Sequence, residues 1–269
     1  MKKILFAAVF AIFASTQAFA ILGIGAHYIM NTGSLKDDHG KIQISPTSTD
    51  DVYITVNQEE ASGLQGIGFK AWIDFLPFVD IEGTLNVAAT KYKTSLTIPI
   101  MTDKGLDSTT IYLNYSPEAP YNVIPGGSVD PLFGVVNGDI SVMYPFTDIP
   151  LIRPYIGIGF SYFASIPIAN YSFAKKMLDS NNGLIDALLD PTNPDNSNAT
   201  EEIKARLIST LQNESYTTGM GGHIIAGFRI KPPVIPLAVY TNGKYYFGGN
   251  TNKQFSQGFV LEVGGGFAL

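Results

Sequence analysis

The sequence predicts an all-β fold, an eight-stranded antiparallel up-and-down transmembrane β-barrel with long external loops, one of which contains short helices. Three observations predict it. Apolar and polar residues alternate with a period of two over runs of about ten residues, which is strand and not helix periodicity. The runs are joined alternately by tight, proline-marked turns and by long polar connections. After residue 20 there is no run of about twenty apolar residues, so no helix in the rest of the chain is oily enough to span a bilayer.

The alternation is cleanest over 63–90. Gln65, Ile67, Phe69, Ala71, Ile73 and Phe75 lie on one face, with Lys70, Trp72 and Asp74 on the other. After the Leu76-Pro77-Phe78 corner it resumes, with Val79, Ile81, Leu85, Val87 and Ala89 opposed to Asp80, Glu82, Thr84 and Asn86. In a soluble sandwich the oily faces meet one another and strands run about five or six residues. Longer strands with one oily and one charged face suit a barrel whose oily side meets lipid and whose polar side lines a lumen. Such a sheet must close, because an open edge would leave unpaired amides in hydrocarbon.

The remaining elements follow in order. Residues 1–20 carry Lys2 and Lys3, an apolar run and Ala18-Phe19-Ala20, and read as a cleaved secretory signal, leaving 21–269 as one barrel domain. The first strand starts at Leu22, and the 63–90 stretch supplies the second and third. Between them, 32–62 is polar, with short strands over 41–45 and 51–56 standing beyond the membrane. The connection 91–130 holds a hairpin around Asp103-Lys104-Gly105. Strands four and five cover 132–144 and 151–164, about a turn at 145–150. The longest connection, 165–217, changes character. Ile203, Leu207, Ile208 and Leu211 have helical spacing with Asn198 and Glu201 as a cap, and Leu184, Ile185, Leu188 and Leu189 suggest another short helix. Strands six, seven and eight cover 219–230, 237–247 and 259–269, with a turn at 232–236 and a shorter loop at 248–257.

The phase of each strand sends nine charged residues inward: Lys70, Arg153, Arg229 and Lys244 against Asp74, Asp80, Glu82, Asp139 and Glu262. Eight strands enclose a space that side chains fill, and a buried charge without a partner is costly, so a paired network is expected there. A static plug and a gate, in which Lys70 or Lys244 exchanges carboxylate partners, both fit the pattern. Inward glycines at 23, 25, 157, 159, 264 and 266 would make room for Trp72, Tyr155 and Tyr240, or leave a small cavity. His27 and His223 fall on inward faces and His39 in a loop, without a serine or threonine in a recognisable hydrolase motif, so no catalytic site is predicted. Asp37-Asp38-His39 and the oxygen-rich run 190–198 lack the spacing of a metal site, and no cofactor or metal is expected.

Composition narrows the partners. A net charge of −6 argues against nucleic acid, and the absence of cysteine excludes disulfides and thiolate metal sites. Arg153-Pro154-Tyr155-Ile156-Gly157-Ile158-Gly159, the tight turns and the alternating last strand resemble the small eight-stranded bacterial outer-membrane proteins, the OmpA-type and OmpW-type barrels. The resemblance covers nearly the whole chain as a pattern. Two features depart from it: the last residue is Leu269 where the group usually ends in Phe, with Phe267 two before it, and the third loop is helical. The resemblance implies a monomer in the outer membrane, with membrane lipids and the barrel-assembly machinery as partners. It implies a structural or interactive role, with loops 32–62, 91–130 and 165–217 open to an extracellular ligand. A narrow channel or an OmpW-like conduit for small or hydrophobic solutes is the alternative, and a lipid-modifying envelope enzyme a further one.

Overall fold

The computed structural model describes residues 22–44, 52–74, 78–102, 105–114, 122–124, 130–146, 151–179, 203, 205–206, 209–210, 216–232, 235–249, 251 and 253–268. The expected signal, the 184–189 and 190–198 segments, the Asn198–Glu201 cap and Leu269 lie outside the described residues. In chain order the elements are β1 (Gly23–Leu35), β2 (Asp38–Gln43), β3 (Tyr53–Gln58), β4 (Ala61–Ile73), β5 (Asp80–Lys91), β6 (Thr94–Thr102), β7 (Gly105–Asn114) and β8 (Asn122–Ile124). They continue with β9 (Leu132–Pro145), β10 (Ile152–Ser165), α1 (Tyr171–Asp179), β11 (Thr217–Ile230), β12 (Leu237–Gly248), β13 (Phe255–Ser256) and β14 (Phe259–Ala268).

Eight of these strands, β1, β4, β5, β9, β10, β11, β12 and β14, pair antiparallel with their neighbours, and β1 closes the ring by pairing with both β4 and β14. Closure leaves no unpaired edge in the wall, as hydrocarbon requires. Gly23 lies opposite both Trp72 and Ala268, so the first and last strands reach the same end as the β4–β5 turn. The β9–β10 and β11–β12 turns share that end, and the long connections occupy the other.

The faces point as the alternation requires. Ile67 and Phe69 are 61% and 62% exposed on the outside, while Lys70 is 3% exposed and Asp80 and Glu82 are fully buried. The exposed face continues through Leu85, Ile140, Ile158, Phe160, Ile224 and Val263. Toward the tight-turn end it carries Tyr144 and Phe146, and toward the long-loop end Tyr162, Tyr245 and Phe259, positions that suit interfacial rings.

β1 and β4 continue past this belt. Their register shifts between Asn31 and Ser34, where two residues of β1 stand opposite the single Gly63. Gly63 has φ of 73°, a conformation strained for an L side chain, and beyond the bulge β13 pairs beside β1.

Above the rim, the first two long connections combine. β2, β3, β6, β7 and β8 form a separate five-stranded sheet, in which β3–β6 pairing joins the 32–62 and 91–130 connections. Short strands in the first connection and a hairpin in the second were expected, but not this junction. Ile54, Val56, Ile98 and Ile111 cover one sheet face and pack against Phe173, Met177 and Leu178 of α1, with Ile203 alongside. Residues 203, 205–206 and 209–210 are helical, in keeping with the spacing at 203–211, whereas α1 was not foreseen. Its signals are present: Asn170 accepts from Phe173 N at 2.8 Å as an N-cap, and positions 173, 174, 177 and 178 form one buried face. His39 lies in β2 opposite Asn57, not in a loop, because the 32–62 connection is itself folded into sheet.

A cation on the lipid-facing wall has no aqueous partner. Ile140→Arg, at a site 63% exposed near the middle of β9, should therefore cost about 2–4 kcal/mol of folding free energy in phospholipid vesicles. Lys41→Gln in β2, above the rim, should leave it unchanged. Urea titration of vesicle-inserted protein, read by heat-dependent gel mobility, checks both.

Candidate functional site: the lumen charge network

The lumen is built from strand register. Lys70 on β4 stands opposite Thr84, Thr84 opposite Asp139, and Asp139 opposite Ser161, so one row of pairs carries four inward polar residues across four strands. A second row runs Trp72, Glu82, Ser141, Gly159, His223 and Tyr246. A third brings Asn242 opposite Glu262. Inward side chains from rows one or two apart then meet across the barrel.

All nine predicted charged residues come together. At the centre Lys70 Nζ lies 2.9 Å from Glu82 Oε1 and 3.5 Å from Glu262 Oε2. Lys244 Nζ lies 2.8 Å from Glu262 Oε1 and 2.9 Å from Asp139 Oδ2. Glu262 is therefore shared by both lysines, giving an alternating chain of charges from Glu82 to Asp139. Toward the tight turns Arg153 reaches Asp80 at 2.9 Å and Asp74 at 3.8 Å. Arg229 is held by Asp74, Asp80 and Glu82 at 3.5, 3.9 and 3.7 Å, and Glu82 links the two clusters.

Neutral groups extend the lattice around Asp139 and Glu262, while Asp74 Oδ1, Asp80 Oδ2, Glu82 Oε2 and the Nε atoms of Arg153 and Arg229 have no hydrogen-bond partner among the described residues. Thr84 Oγ1 donates to Asp139 Oδ2 at 2.9 Å, Tyr246 donates to the same oxygen at 2.8 Å, and Asn137 Nδ2 donates to Asp139 Oδ1 at 3.0 Å. Asn242 Nδ2 donates to Glu262 Oε2 at 2.9 Å, and the Asn242 amide oxygen accepts from the Tyr155 hydroxyl. His27 Nε2 donates to Asn86 Oδ1 at 2.8 Å, and Asn86 Nδ2 donates to Glu262 Oε1 at 3.2 Å. The Lys70 ammonium also lies 4.2 Å above the Tyr240 ring, and the Arg229 guanidinium 4.5 Å above that of Trp72.

The inward phase marks these neutral positions as lumenal but does not pair them. Asn86, Asn242 and Tyr246 find partners on strands distant in sequence, whereas Asn137 binds Asp139 two residues along its own strand as well as the Tyr246 hydroxyl. Gly23 and Gly25 make room for Trp72 and Tyr240, as the first of the two expectations had it, while the nearest neighbours of Gly157, Gly159, Gly264 and Gly266 are other groups. A Cβ at Gly23 would strike the Trp72 indole, one at Gly25 would lie 2.8 Å from the Tyr240 hydroxyl, and one at Gly159 would strike the His223 ring.

His223 sits between two serines, with Nε2 2.8 Å from Ser141 Oγ and Nδ1 2.7 Å from Ser161 Oγ. The serine contacts were missed because the three residues belong to three strands. All three are fully buried, so the contact fixes the ring and offers no substrate an approach. Asp37 and His39 pair at 3.2 Å on the surface, while Asp38 Oδ2 instead accepts from Tyr171 N at 3.0 Å. The three therefore do not converge on a common point, and no metal-ligating group of three is found among the described residues.

Above the network the lumen is apolar. Ile29, Leu64, Phe133, Phe163, Val260 and Phe255 form a buried plug, with Ile168 of the segment after β10 seated on it. Tyr246 ties the two layers, since its ring packs on Phe163 at 5.3 Å and its hydroxyl binds Asp139.

A closed ring of eight strands, oily outside and charged inside, decides the architecture. The chain is an eight-stranded transmembrane β-barrel. No protein-family description matches it, and no curated protein does. Among solved structures it is similar to Ail, the attachment invasion locus protein of Yersinia pestis, at 6% identity over 91% of this chain and 96% of that one, with a TM-score of 0.36. It is similar also to the outer membrane protein OprG from Pseudomonas aeruginosa, at 10% identity over 91% of this chain and 94% of that one, with a TM-score of 0.38. The architecture rests on this barrel's own strand pairing and faces.

Breaking a buried pair strands its partner, whereas breaking an exposed one returns both ions to water. Glu262→Gln should destabilise the barrel by about 3–5 kcal/mol, because it leaves Lys70 and Lys244 with fewer counter-charges. Lys93→Gln, whose pair with Glu59 spans 3.9 Å between half-exposed side chains, should cost less than about 1 kcal/mol. Urea unfolding in vesicles at matched lipid composition separates the two.

Proposed function

We propose that this chain is an integral, monomeric outer-membrane protein that works through the folded layer above its rim, on a barrel that does not conduct. One observation carries the reading: the lumen is filled twice over, by an ion-pair lattice and by an apolar plug above it. The exposed belt supports membrane residence. The division into tight turns and long connections supports an orientation with the turns toward the periplasm and the long connections outward. Export would rest on residues 1–20, and the alternating last strand with Phe267 is the feature offered to the assembly machinery.

The external layer supports an interactive role. Two connections, together with α1, form a sheet and helix with a hydrophobic core of their own, a more ordered platform than a barrel needs merely to close its mouth. The reading is non-enzymatic, since the His223 and serine contact is sealed.

The conduit reading draws on a concavity of about 890 Å3 on the lipid-facing wall, over the small residues Ala26, Ala71, Gly83, Gly138 and Gly265. Behind it the strands stay paired, with Ala26 opposite Gly265, Ala71 opposite Gly83, and Leu85 opposite Gly138. Its lining also includes Lys70, Thr84 and Asp139 of those paired strands, and on the non-conducting reading it is a dent for acyl chains and not a mouth.

Planar-bilayer recording tests the proposal. Wild-type protein, Lys70→Met and Lys244→Met should all give negligible current across ±100 mV or so. Steady single-channel steps in the wild type, or steps that appear on neutralising either lysine, would replace the plug with a gate.

A further inference from the structure

The end of the barrel that carries the tight turns is apolar where turns in water are usually polar. The strand order places four corners there: the β4–β5, β9–β10 and β11–β12 turns, and the place where β1 begins and β14 ends. Each corner exposes a large apolar residue. Phe78 is 74% exposed at the first, Phe146 and Leu151 are exposed at the second, Ile235 at the third, and Leu22 and Phe267 at the fourth. The opposite end differs, since the exposed side chains above the rim include Asp37, His39, Glu59 and Lys93.

The turn tips are not needed to complete the belt. On β10, ten residue steps separate Ile152 from Tyr162, both on the outer face. At about 3.3 Å per residue and a tilt of about 40° they span about 25 Å along the membrane normal, the height of a full apolar band. Leu151 and the other tips therefore stand beyond it. The turns are also poor in groups that need water. Across 76–78, 145–151 and 231–237 only Thr147, Asp148 and Lys231 are polar. Six prolines fall in these stretches, Pro77, Pro145, Pro150, Pro232, Pro233 and Pro236, and proline has no N–H to leave unpaired. Three backbone N–H groups at this end bond within the protein: Phe146 N donates to Pro154 O at 2.9 Å, Lys231 N to Leu151 O at 3.1 Å and Ala268 N to Pro236 O at 3.1 Å. Lys231 is half-buried, and such a stem can lie along the wall while its ammonium reaches a lipid phosphate.

We propose that the tight-turn end is a phospholipid-docking surface, with the turn tips seated among the headgroups of the leaflet at that end. An apolar tip leaves water there, as the apolar face of an interfacial helix does. The distribution of the tips selects the occupant. A leaflet surrounds the barrel and meets all four corners at once, continuing the lipid contact of the belt, whereas a protein docked on one side would cover neighbouring corners and leave the others in water. A partner seated across the mouth would have to cover the Arg153 and Asp74 pair, which lies within the ring of tips. The inference rests on the barrel standing in a membrane, and gives its turns a lipid contact of their own.

The chain has no cysteine, so a single introduced thiol takes a nitroxide label at one site. The test labels Phe78→Cys and Ile235→Cys at the tips, Ile140→Cys at mid-belt and Lys41→Cys above the rim, each in the refolded full chain in phosphatidylcholine nanodiscs. Collisions of each label with oxygen and with a water-soluble nickel chelate give its depth, and heat-dependent gel mobility verifies that each variant is folded. The two tip labels should lie about 5–10 Å into the headgroup and acyl boundary, between the two reference sites. Chelate access at the tips equal to that of the Lys41→Cys label would overturn the proposal and leave this end to a soluble partner. Dipolar broadening between tip labels would also overturn it, by placing a second copy against the turns. An Ile140→Cys label that is itself in water would overturn the membrane reading along with the proposal, so a wrong docking surface is distinguishable from a wrong account of the barrel.

Discussion

The constraint on which the rest depends is that charge carried by a strand in hydrocarbon must be answered inside the barrel. Water does not reach the belt, so the inward groups have only one another. Four cations and five carboxylates meet this by sharing. Glu262 serves Lys70 and Lys244, and Glu82 serves Lys70 and Arg229. Amide and hydroxyl groups from Asn242, Asn86, Thr84 and Tyr246 take carboxylate lone pairs that the cations do not fill. Neutral donors thus supplement the cations at Asp139 and Glu262.

Sharing also shapes the architecture above. Tyr246 belongs to both layers, so the position of Asp139 fixes the ring that floors the apolar plug. Ile168 rests on that plug, and Ala169 N donates to Tyr92 at 3.1 Å, which anchors the segment leading into α1. α1 in turn covers the external sheet. The external layer is thus connected through packed contacts down to the ion pairs.

The eight spanning strands and their faces were legible because a two-residue period admits one answer once lipid is on one side. Lys70, Asp74, Asp80, Glu82, Asp139, Arg153, Arg229, Lys244 and Glu262 were legible for the same reason, since each falls in the inward phase of its strand. Their partners were not. Tyr155 finds Asn242, and His27 finds Asn86, only through strand register and barrel closure, to which local pattern contributes nothing. The β3–β6 junction was hidden similarly, because both strands are polar on their outer face and sit inside connections. α1 had its cap and spacing in plain view, but nine residues are too few to be helical without the sheet they pack on, and the stronger apolar spacing at 203–211 drew the reading downstream.

The same sharing bears on whether the lumen could gate. A gate needs a lysine to leave one carboxylate for another, and an exchange is cheap only if the abandoned group finds a new partner. If Lys244 left Asp139, that carboxylate would keep Tyr246, Thr84 and Asn137 as donors, so the move is affordable at that end. At the other end Lys244 already lies 2.8 Å from Glu262, which Lys70 shares, so the ammonium would gain no new partner there. A completed exchange would still leave Phe133, Phe163 and Leu64 packed across the path, and an ion finds no ligands among them. Two layers of opposite chemistry, an ion-pair lattice and a hydrocarbon plug, thus lie in series along the lumen, tied to one another through Tyr246.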